Sequence, residues 1–314
     1  MRKISTFRSL LFTATLLVLF MSNSIKASSA DAAEGRWDIV IELNGKSRPS
    51  WLEIEHSGVR TLVGRFVYAG GSARPISVIN SSNGKYNFSI PPQWEESTRN
   101  LEFEFELVGD QLKGTMVFVD GKTYNWTAQR APSLKRTSEP TWDKPIKLFN
   151  GVDLKGWHAT GDNQWVVEDG ILRSKKSGAN LVSDQAFNDF KLHVVFRYQK
   201  GSNSGVYLRG RYEVQIADDK GKDPWKGYFG AIYGFLTPSD MTAKDAGEWQ
   251  TFDVTLIGRM VTVVANGKTV ISNQEIPGIT GGALDSKEGE PGPIYFQGDH
   301  GPIDFRSVVI TPAK

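Results

Sequence analysis

The chain has 314 residues, a formal net charge of +2 and 23% charged residues, so it lacks the basic excess expected of a nucleic-acid-binding protein. Nucleic acid is therefore set aside as a partner. The length allows one large domain or two domains of ordinary size, and we expect two. The chain has no cysteine, so an exported form must be stabilised by core burial rather than by disulfides.

Residues 1–30 have the composition of a secretory signal peptide. Basic residues precede an apolar run from Leu10 to Met21, and small residues follow up to Ala30. This run is too short for a permanent anchor, and no later segment reaches the ~18 apolar residues of a membrane-spanning helix. The sequence therefore predicts an exported bacterial protein, periplasmic or extracellular, without a membrane span.

Residues 34–130 have the pattern of an antiparallel β domain. About eight short runs of alternating apolar and polar residues, such as WDIVIEL and LEFEFELV, are separated by turn signals. Asn44-Gly45, Asn83-Gly84 and Asp120-Gly121 are pairs that tolerate positive φ and favour tight hairpins. So many strands in so short a segment predict a small barrel or sandwich, because closure removes exposed strand edges. The role of this domain is not indicated by its sequence.

The remaining chain predicts a linker and a second β domain. Residues 131–145 contain three prolines and several charges without periodicity, which is typical of a linker. Residues 146–314 again contain many strand-like runs separated by turn signals, which favours a β-sandwich and makes the chain all-β. The segment from Asp218 to Glu248 interrupts the strands and is rich in aromatic residues. Long loops of this kind usually serve function.

Residues 201–216, GSNSGVYLRGRYEVQI, place an unusual set of polar side chains on one strand face. From Val206 onward apolar and polar residues alternate, so one parity forms one face of a sheet. The polar parity comprises Tyr207, Arg209, Arg211, Glu213 and Gln215. This face is either an ordinary hydrated surface or the floor of a binding site. Gly210 permits a bulge, which would change the arginine that points into such a site.

The second domain also contains a series of ordered motifs. They are KLFNGVDLKGW, WVVEDGIL, FKLHVVFRYQKGSNSGVYLRG, YEVQIADD, GEWQTFDVTLIGRMVTVVANGKTV and PIYFQGDHGPIDFRSVVI. Together they cover residues 146–312 and resemble the 3-keto-disaccharide hydrolase domain family. The resemblance implies a concanavalin A-like β-sandwich, or jelly roll, with a concave face toward carbohydrate. It also implies a hydrolase that processes glycosides oxidised at C3.

The chemistry of a 3-keto-glycoside indicates which side chains to look for. The ketone acidifies the C2 proton, and the glycosidic oxygen lies β to the carbonyl, so elimination followed by hydration cleaves the bond. This route needs a base near C2, donors or positive charge at the C3 oxygen and an acid for the leaving group. His300 is the first candidate for the acid or base, with Asp299 orienting it. A solvent-exposed turn histidine beside a turn-forming aspartate is the alternative.

Glu213 and Arg209 complete the predicted catalytic set. Glu213 suits a base, a metal ligand or an acceptor for a sugar hydroxyl, and Arg209 suits stabilisation of the C3 oxygen because a guanidinium stays charged. The alternative is a structural ion pair between these two side chains. Amide, hydroxyl and carboxylate groups suit sugar hydroxyls, and an aromatic ring covers the apolar face of a sugar. The predicted substrate-binding residues are Asn203, Ser204, Tyr207, Gln215, Gln297 and Asp299.

A divalent metal is the one cofactor left open. The chain has no HExxH motif, no cysteine and no Asp-x-Asp loop, so any metal would need ligands from separate strands, such as Glu213, His193 and His300. No dinucleotide- or phosphate-binding loop is present, so the oxidation that forms a keto sugar falls to another protein. The sequence predicts a hydrolase acting on 3-keto-glycosides. The alternative is a non-catalytic, lectin-like carbohydrate-binding module.

Overall fold

The computed structural model describes residues 31–314. The predicted signal peptide, residues 1–30, lies outside the described residues. The described range contains twenty-one β-strands and no helix, so the predicted all-β class is confirmed. No helix with the length and apolarity required to cross a membrane occurs in this range.

The strands form a closed barrel followed by a two-sheet sandwich. The barrel strands are β1 (Gly35–Leu43), β2 (Lys46–Ser57), β3 (Thr61–Val67), β4 (Arg74–Ser82), β5 (Lys85–Ile90), β6 (Leu101–Val108), β7 (Gln111–Val117) and β8 (Thr123–Arg130). The first sandwich strands are β9 (Ile146–Lys147), β10 (Trp157–Ala159), β11 (Trp165–Glu168), β12 (Ile171–Ser174), β13 (Leu181–Phe187), β14 (Phe190–Tyr198) and β15 (Asn203–Leu208). They are followed by β16 (Tyr212–Ala217), β17 (Gln250–Ile257), β18 (Met260–Ala265), β19 (Lys268–Glu275), β20 (Gly292–Phe296) and β21 (Ile303–Pro312).

The barrel is an antiparallel meander in which β1 pairs with β8 to close the sheet. Its hairpins follow from the turn signals, since Asn44 and Asn83 adopt the positive φ values of 50° and 51° that such turns require. Alternate side chains point inward and fill the interior with aromatic rings, among them Phe88 and Phe103, stacked 4.4 Å apart. Of the two predicted alternatives, barrel and sandwich, the structure has the barrel.

The sandwich packs a five-stranded sheet against a larger one. The five strands run in the order β10-β13-β20-β15-β16, and the larger sheet runs β11-β12-β21-β14-β17-β18-β19, with β9 added beside β21. The apolar parity of each strand fills the space between the sheets, as for Val206, Val214 and Phe296, all at most 1% exposed. The outer face of the five-stranded sheet is left for polar side chains.

The predicted strand across residues 206–216 is a hairpin instead of one continuous strand. Arg209 and Gly210 adopt positive φ values of 52° and 67° and reverse the chain between β15 and β16. The register pairs Tyr207 with Glu213, and directly opposed residues in an antiparallel pair lie on the same face. The polar face therefore survives the reversal, but Arg209 and Arg211, which lie in the turn, leave it.

The apolar core of the sandwich includes three barrel residues, Trp51, Val67 and Ala73, and residues 32–314 form one compact unit. Trp51 of β2 is fully buried among sandwich residues, and its ring meets Phe235 edge-on at 5.4 Å. Gly278 lies so close to the Trp51 indole that a Cβ there would overlap it. Residues 131–145 connect the two parts and hold an isolated bridge between Trp142 and Ala313.

A buried cluster of ionisable side chains also joins the barrel to the sandwich. Asp38 of β1 hydrogen-bonds Glu288. Glu288 also accepts the Arg259 Nε at 3.2 Å and the Tyr212 hydroxyl at 2.6 Å. Burial first, and then the Glu288 charge, raise the pKa of Asp38 above its ordinary value. Asp38 is therefore held protonated in the folded protein at pH values that ionise it in the unfolded chain.

Asp38→Asn is expected to remove a pH dependence of stability. A carboxyl with a raised folded-state pKa stabilises the fold fully below its unfolded pKa of about 3.9, and this contribution is lost as the pH rises through the folded pKa. As the pH rises, the free energy of unfolding of the wild type should fall relative to that of the variant, by at most about 1.4 kcal/mol per pH unit. Denaturant titrations at about pH 5, 6.5 and 8 measure this difference. Parallel pH dependence of the two proteins would contradict the assignment.

Candidate active site

A cleft of about 960 Å³ lies where the outer face of the five-stranded sheet meets the barrel. Its floor is formed by β15, β16 and β20, whose polar parity faces the cleft while the opposite parity packs in the core. One wall comes from the long loop between β16 and β17, and the other comes from barrel loops. The floor residues are Asn203, Tyr207, Glu213, Gln215, Tyr295 and Gln297.

Glu213 is a buried carboxyl on this floor, with 3% of its surface exposed. Burial raises its pKa to about 8, and the charge of Asp299 adds to the rise, whereas a hydrogen bond from Tyr207 opposes it. A carboxyl with this pKa is largely protonated at neutral pH. It is able to act as a proton donor under conditions in which an exposed glutamate is ionised.

The hydrogen bonds of Tyr207 are compatible with a proton on Glu213. The Tyr207 hydroxyl oxygen lies 2.9 Å from Glu213 Oε2 and 2.8 Å from the Gly281 carbonyl oxygen. A hydroxyl has one proton to donate, so it serves only one of two acceptors fully. Both contacts are satisfied when Tyr207 donates to Gly281 and a protonated Glu213 donates to Tyr207.

Gln215 and Gly205 hold the Glu213 carboxyl in place. With its amide nitrogen toward Glu213, Gln215 donates to Glu213 Oε1 and to the Ser204 carbonyl, each at 3.0 Å. Gly205 lies beneath the carboxyl, where any Cβ would overlap Glu213 Oε1. The glycine therefore provides the space that the buried acid occupies.

Asp299 and His300 form a hydrogen-bonded pair in the loop between β20 and β21. His300 Nδ1 lies 2.5 Å from Asp299 Oδ1, and both side chains are about half exposed and line the cleft. The hydrogen bond to Asp299 raises the pKa of His300 above its ordinary value. The Asp299 carboxylate is therefore bonded to the His300 ring.

Several polar atoms of the floor have hydrogen-bonding capacity to spare. Asn203 Oδ1 and Gln297 Oε1 are buried and have no hydrogen-bond partner among the described residues. The Tyr295 hydroxyl accepts a hydrogen bond from Asn180 at 2.7 Å, so its own proton remains to be donated. Tyr295 also stacks on Tyr207, with ring centroids 4.2 Å apart. The two amide oxygens can accept from sugar hydroxyl groups, and the Tyr295 hydroxyl can donate to a hydroxyl or carbonyl oxygen.

The predicted position of Arg209 on the cleft floor is wrong. Because positive φ in the hairpin turn redirects the side chain, Arg209 is buried away from the cleft. It donates to the Gly258 carbonyl oxygen, and its guanidinium carbon lies 5.2 Å from the centre of the Tyr212 ring. It forms no ion pair with Glu213, so the predicted structural alternative does not hold either within the described residues.

Ser204 is also absent from the cleft lining. It belongs to the parity of Val206, which packs inward, and its buried hydroxyl donates to the Gln297 carbonyl oxygen at 2.8 Å. The predicted contact of Ser204 with substrate is therefore wrong. The residue instead forms a structural hydrogen bond between β15 and the end of β20. Asn203, one residue earlier, has the opposite parity and does line the cleft.

The possible metal ligands are not brought together. His193 lies on β14 of the larger sheet, where its Nδ1 is 2.7 Å from Asp253 Oδ1, whereas Glu213 and His300 belong to the cleft. Within residues 31–314, no group of three or more His, Cys, Asp or Glu side chains has an arrangement that would hold a metal ion.

Sequence reasoning missed the residues that complete the cleft. Thr160 and Asn180 come from the edge of the five-stranded sheet, and Tyr295 has the parity of Gln297 but was not singled out. Trp225 and Tyr233 belong to the aromatic-rich loop that was predicted to be functional without naming them. The barrel wall was not anticipated, because no local pattern indicates which surface of one domain covers another.

An antiparallel sandwich whose outer face carries titratable, amide and aromatic side chains in a cleft has the composition expected of a carbohydrate-processing protein. Residues 144–311 match the family described as the 3-keto-alpha-glucoside-1,2-lyase-like domain. The match covers more than half of the chain, which belongs to this family. The predicted family is thereby confirmed.

The chain is also similar to individual known proteins. The chain is 29% identical over 94 residues to a 3-keto-disaccharide hydrolase of Bacteroides thetaiotaomicron, an alignment that spans 26% of this chain and 32% of that relative. Two solved structures of candidate glycosyl hydrolases from Parabacteroides distasonis are each 27% identical. One has a TM-score of 0.46 and covers 58% of this chain and 96% of its own, and the other has a TM-score of 0.43 and covers 54% and 98%.

Gly205→Ala is expected to displace Glu213 while leaving the fold intact. The backbone at Gly205 does not need a positive φ, so alanine is tolerated there, but its Cβ would push the flexible end of Glu213 out of its position. The pKa of Glu213, measured by carbon NMR of labelled carboxyl groups, should move from about 8 toward the ordinary value. Gly161→Ala is the matched control, because a Cβ at Gly161 meets only ordinary contact. An unchanged Glu213 pKa in Gly205→Ala would contradict this account.

Proposed function

We propose that this protein is an exported enzyme that cleaves the glycosidic bond of a 3-keto-glycoside by elimination and hydration. The observation that carries this proposal is the pairing of a buried, protonated Glu213 on the cleft floor with the Asp299–His300 pair at the rim. The two groups offer an acid and a base in one cleft. Family membership supports action on a glycosidic bond, and the composition of residues 1–30 supports export.

The first step removes a proton and expels the leaving group. Neutral His300 takes the C2 proton, the C2–H electrons form a C1–C2 double bond, and the C1–O bond breaks. Glu213 gives its proton to the departing oxygen, so the products of this step are an enone and a free hydroxyl compound. His300 leaves the step as an imidazolium beside Asp299, whose carboxylate stabilises it.

The second step adds water across the double bond and restores the enzyme. Ionised Glu213 accepts a proton from the water that attacks C1, and the His300 imidazolium returns a proton to C2. The sum of both steps is hydrolysis without a covalent intermediate. This sequence uses one carboxyl and one imidazole rather than the paired carboxylates of most glycosidases.

Negative charge at the C3 oxygen needs a donor other than Arg209. The Tyr295 hydroxyl is the best candidate, because Asn180 already donates to its oxygen and leaves its own proton to point into the cleft. The amides of Asn203 and Gln297 lie on the same floor and suit the neighbouring sugar hydroxyls.

Substitution of Glu213, His300 or Tyr295 should strongly lower the turnover of a keto substrate. For release of nitrophenol from nitrophenyl 3-keto-glucoside, we expect Glu213→Gln and His300→Ala to lower kcat by about 10²- to 10⁴-fold, the scale of general acid–base catalysis. Tyr295→Phe should lower kcat by about 10²-fold, the lower end for one lost oxyanion donor. The unoxidised glucoside should not be cleaved, since its C2 proton is not acidic.

His193→Ala is the matched control for His300→Ala. It removes a histidine that is likewise bonded to an aspartate, at 2.7 Å, but outside the cleft. Full activity of His193→Ala beside an inactive His300→Ala would assign the loss to the cleft. Cleavage of the unoxidised glucoside at an equal rate would overturn the elimination route, and glycan binding without any turnover would make the protein a lectin-like module.

The pH profile of kcat/KM should be a narrow bell. Activity needs neutral His300, whose pKa is raised above its ordinary value, and protonated Glu213, whose pKa is about 8, so the rate should rise and then fall around neutral pH. Asp299→Asn removes the carboxylate that raises both pKa values, so both limbs should move to lower pH. A rising limb that stays in place in Asp299→Asn would exclude His300 as the base.

A further inference from the structure

The barrel supplies one wall of the cleft. Three barrel segments line it, namely residues 47–49, 68–72 and 93–95. Trp94 is the most prominent of their side chains, because 71% of its surface is exposed. A tryptophan exposed to this extent is costly to keep in water, and at the edge of a sugar-sized cleft it has the form of a binding residue.

The backbone that carries Trp94 is held by a buried ion pair. Glu95 Oε2 accepts the backbone N–H groups of Gln93 at 2.7 Å and Trp94 at 3.1 Å. Glu95 Oε1 faces Arg74 Nη2 at 3.4 Å, and Arg74 Nη1 donates to the Pro91 carbonyl oxygen at 3.1 Å. Burial acts to raise the pKa of Glu95, but these bonds outweigh it and lower the pKa below its ordinary value. They also fix a segment that has no strand hydrogen bonds of its own.

A second set of bonds ties this segment to the sandwich. The Gln93 side chain bonds Ser72 twice, accepting its backbone N–H at 2.9 Å and donating to its hydroxyl at 2.6 Å. Ser72 in turn packs so closely on Gly234 that a Cβ at Gly234 would overlap it. The Trp94 indole lies against Gly71, and Tyr233, a sandwich residue, lines the same cleft. Trp94 is therefore exposed and also positioned, which lowers the entropic cost of binding.

We propose that Trp94 forms a barrel-borne subsite that stacks on a second pyranose ring of the substrate, the ring that leaves in the first step. This inference rests on the proposed function. The groups that act on the keto ring, Glu213, Tyr295 and His300, all belong to the sandwich, so the keto ring occupies the sandwich floor. The barrel wall is then left for the neighbouring ring, whose C–H face fits an indole.

The subsite predicts a preference for disaccharides that depends on Trp94. The test compares 3-keto-maltose and 3-keto-cellobiose with methyl 3-keto-glucoside, which lacks a second ring. Trp94→Ala should lower kcat/KM for at least one disaccharide by about tenfold, the scale of one lost aromatic contact, mainly through KM. The methyl glycoside should be cleaved as by the wild type, and Trp94→Phe should recover part of the loss.

Val59→Ala is the control, because Val59 is also exposed on the barrel, at 74%, but lies outside the cleft lining. It should leave all three substrates unaffected. An equal loss on the methyl glycoside in Trp94→Ala would overturn the proposal, since Trp94 would then serve the keto ring or the fold. Unchanged disaccharide kinetics would overturn it as well.

Failure of the proposed chemistry is separable from failure of the subsite. If the wild type turns over no keto substrate, calorimetry with maltose, cellobiose and methyl glucoside replaces the kinetics. Tighter binding of a disaccharide that is lost in Trp94→Ala and retained in Val59→Ala would support the subsite while the proposed reaction fails. Equal binding of all three sugars by wild type and Trp94→Ala would overturn the subsite.

Discussion

The cleft depends on the approach of two loops at backbone distance. Gly281 of the sandwich lies against the Gly70–Gly71 backbone of the barrel, and Gly282 donates its N–H to the Ala69 carbonyl oxygen at 2.8 Å. No Cβ fits at Gly281, so any side chain there would push the two parts apart. The same glycine loop supplies the Gly281 carbonyl that bonds Tyr207. The contact that joins barrel and sandwich thus also orders the hydrogen bonds of the buried acid.

The electrostatics of the site follow from that enclosure. An exposed strand glutamate is ionised at neutral pH. Glu213 is buried in the cleft floor, no cation among residues 31–314 lowers its pKa, and it keeps its proton. Asp299 contributes to both titrating groups, raising the pKa of His300 through a hydrogen bond and that of Glu213 through its charge. A simple glycan-binding surface has no need for such a buried acid, which is why the arrangement favours catalysis over binding alone.

Three arginines that are absent from the cleft form hydrogen bonds and ion pairs within the sandwich, beside the barrel. Arg209 donates to the Gly258 carbonyl, Arg211 pairs with Asp285 at 2.6 Å, and Arg259 pairs with Glu288. They lie around the turn between β15 and β16, near the buried Asp38 of the barrel. The hairpin therefore has two functions: its strands present the cleft floor, and its turn carries cations into the interface with the barrel.

The local sequence pattern was sufficient to predict the strands, the hairpins, the family and the shared face of Tyr207, Glu213 and Gln215. Alternation encodes which side chains share a face, and Asn-Gly pairs encode where the chain reverses. Tertiary structure decided the rest. A positive φ at Arg209 turned that side chain out of the face, the packing of β15 buried Ser204, and the docked barrel brought Trp94 to the cleft. Periodicity carries no information on these points, because it records the faces of one element and not the surface that covers them.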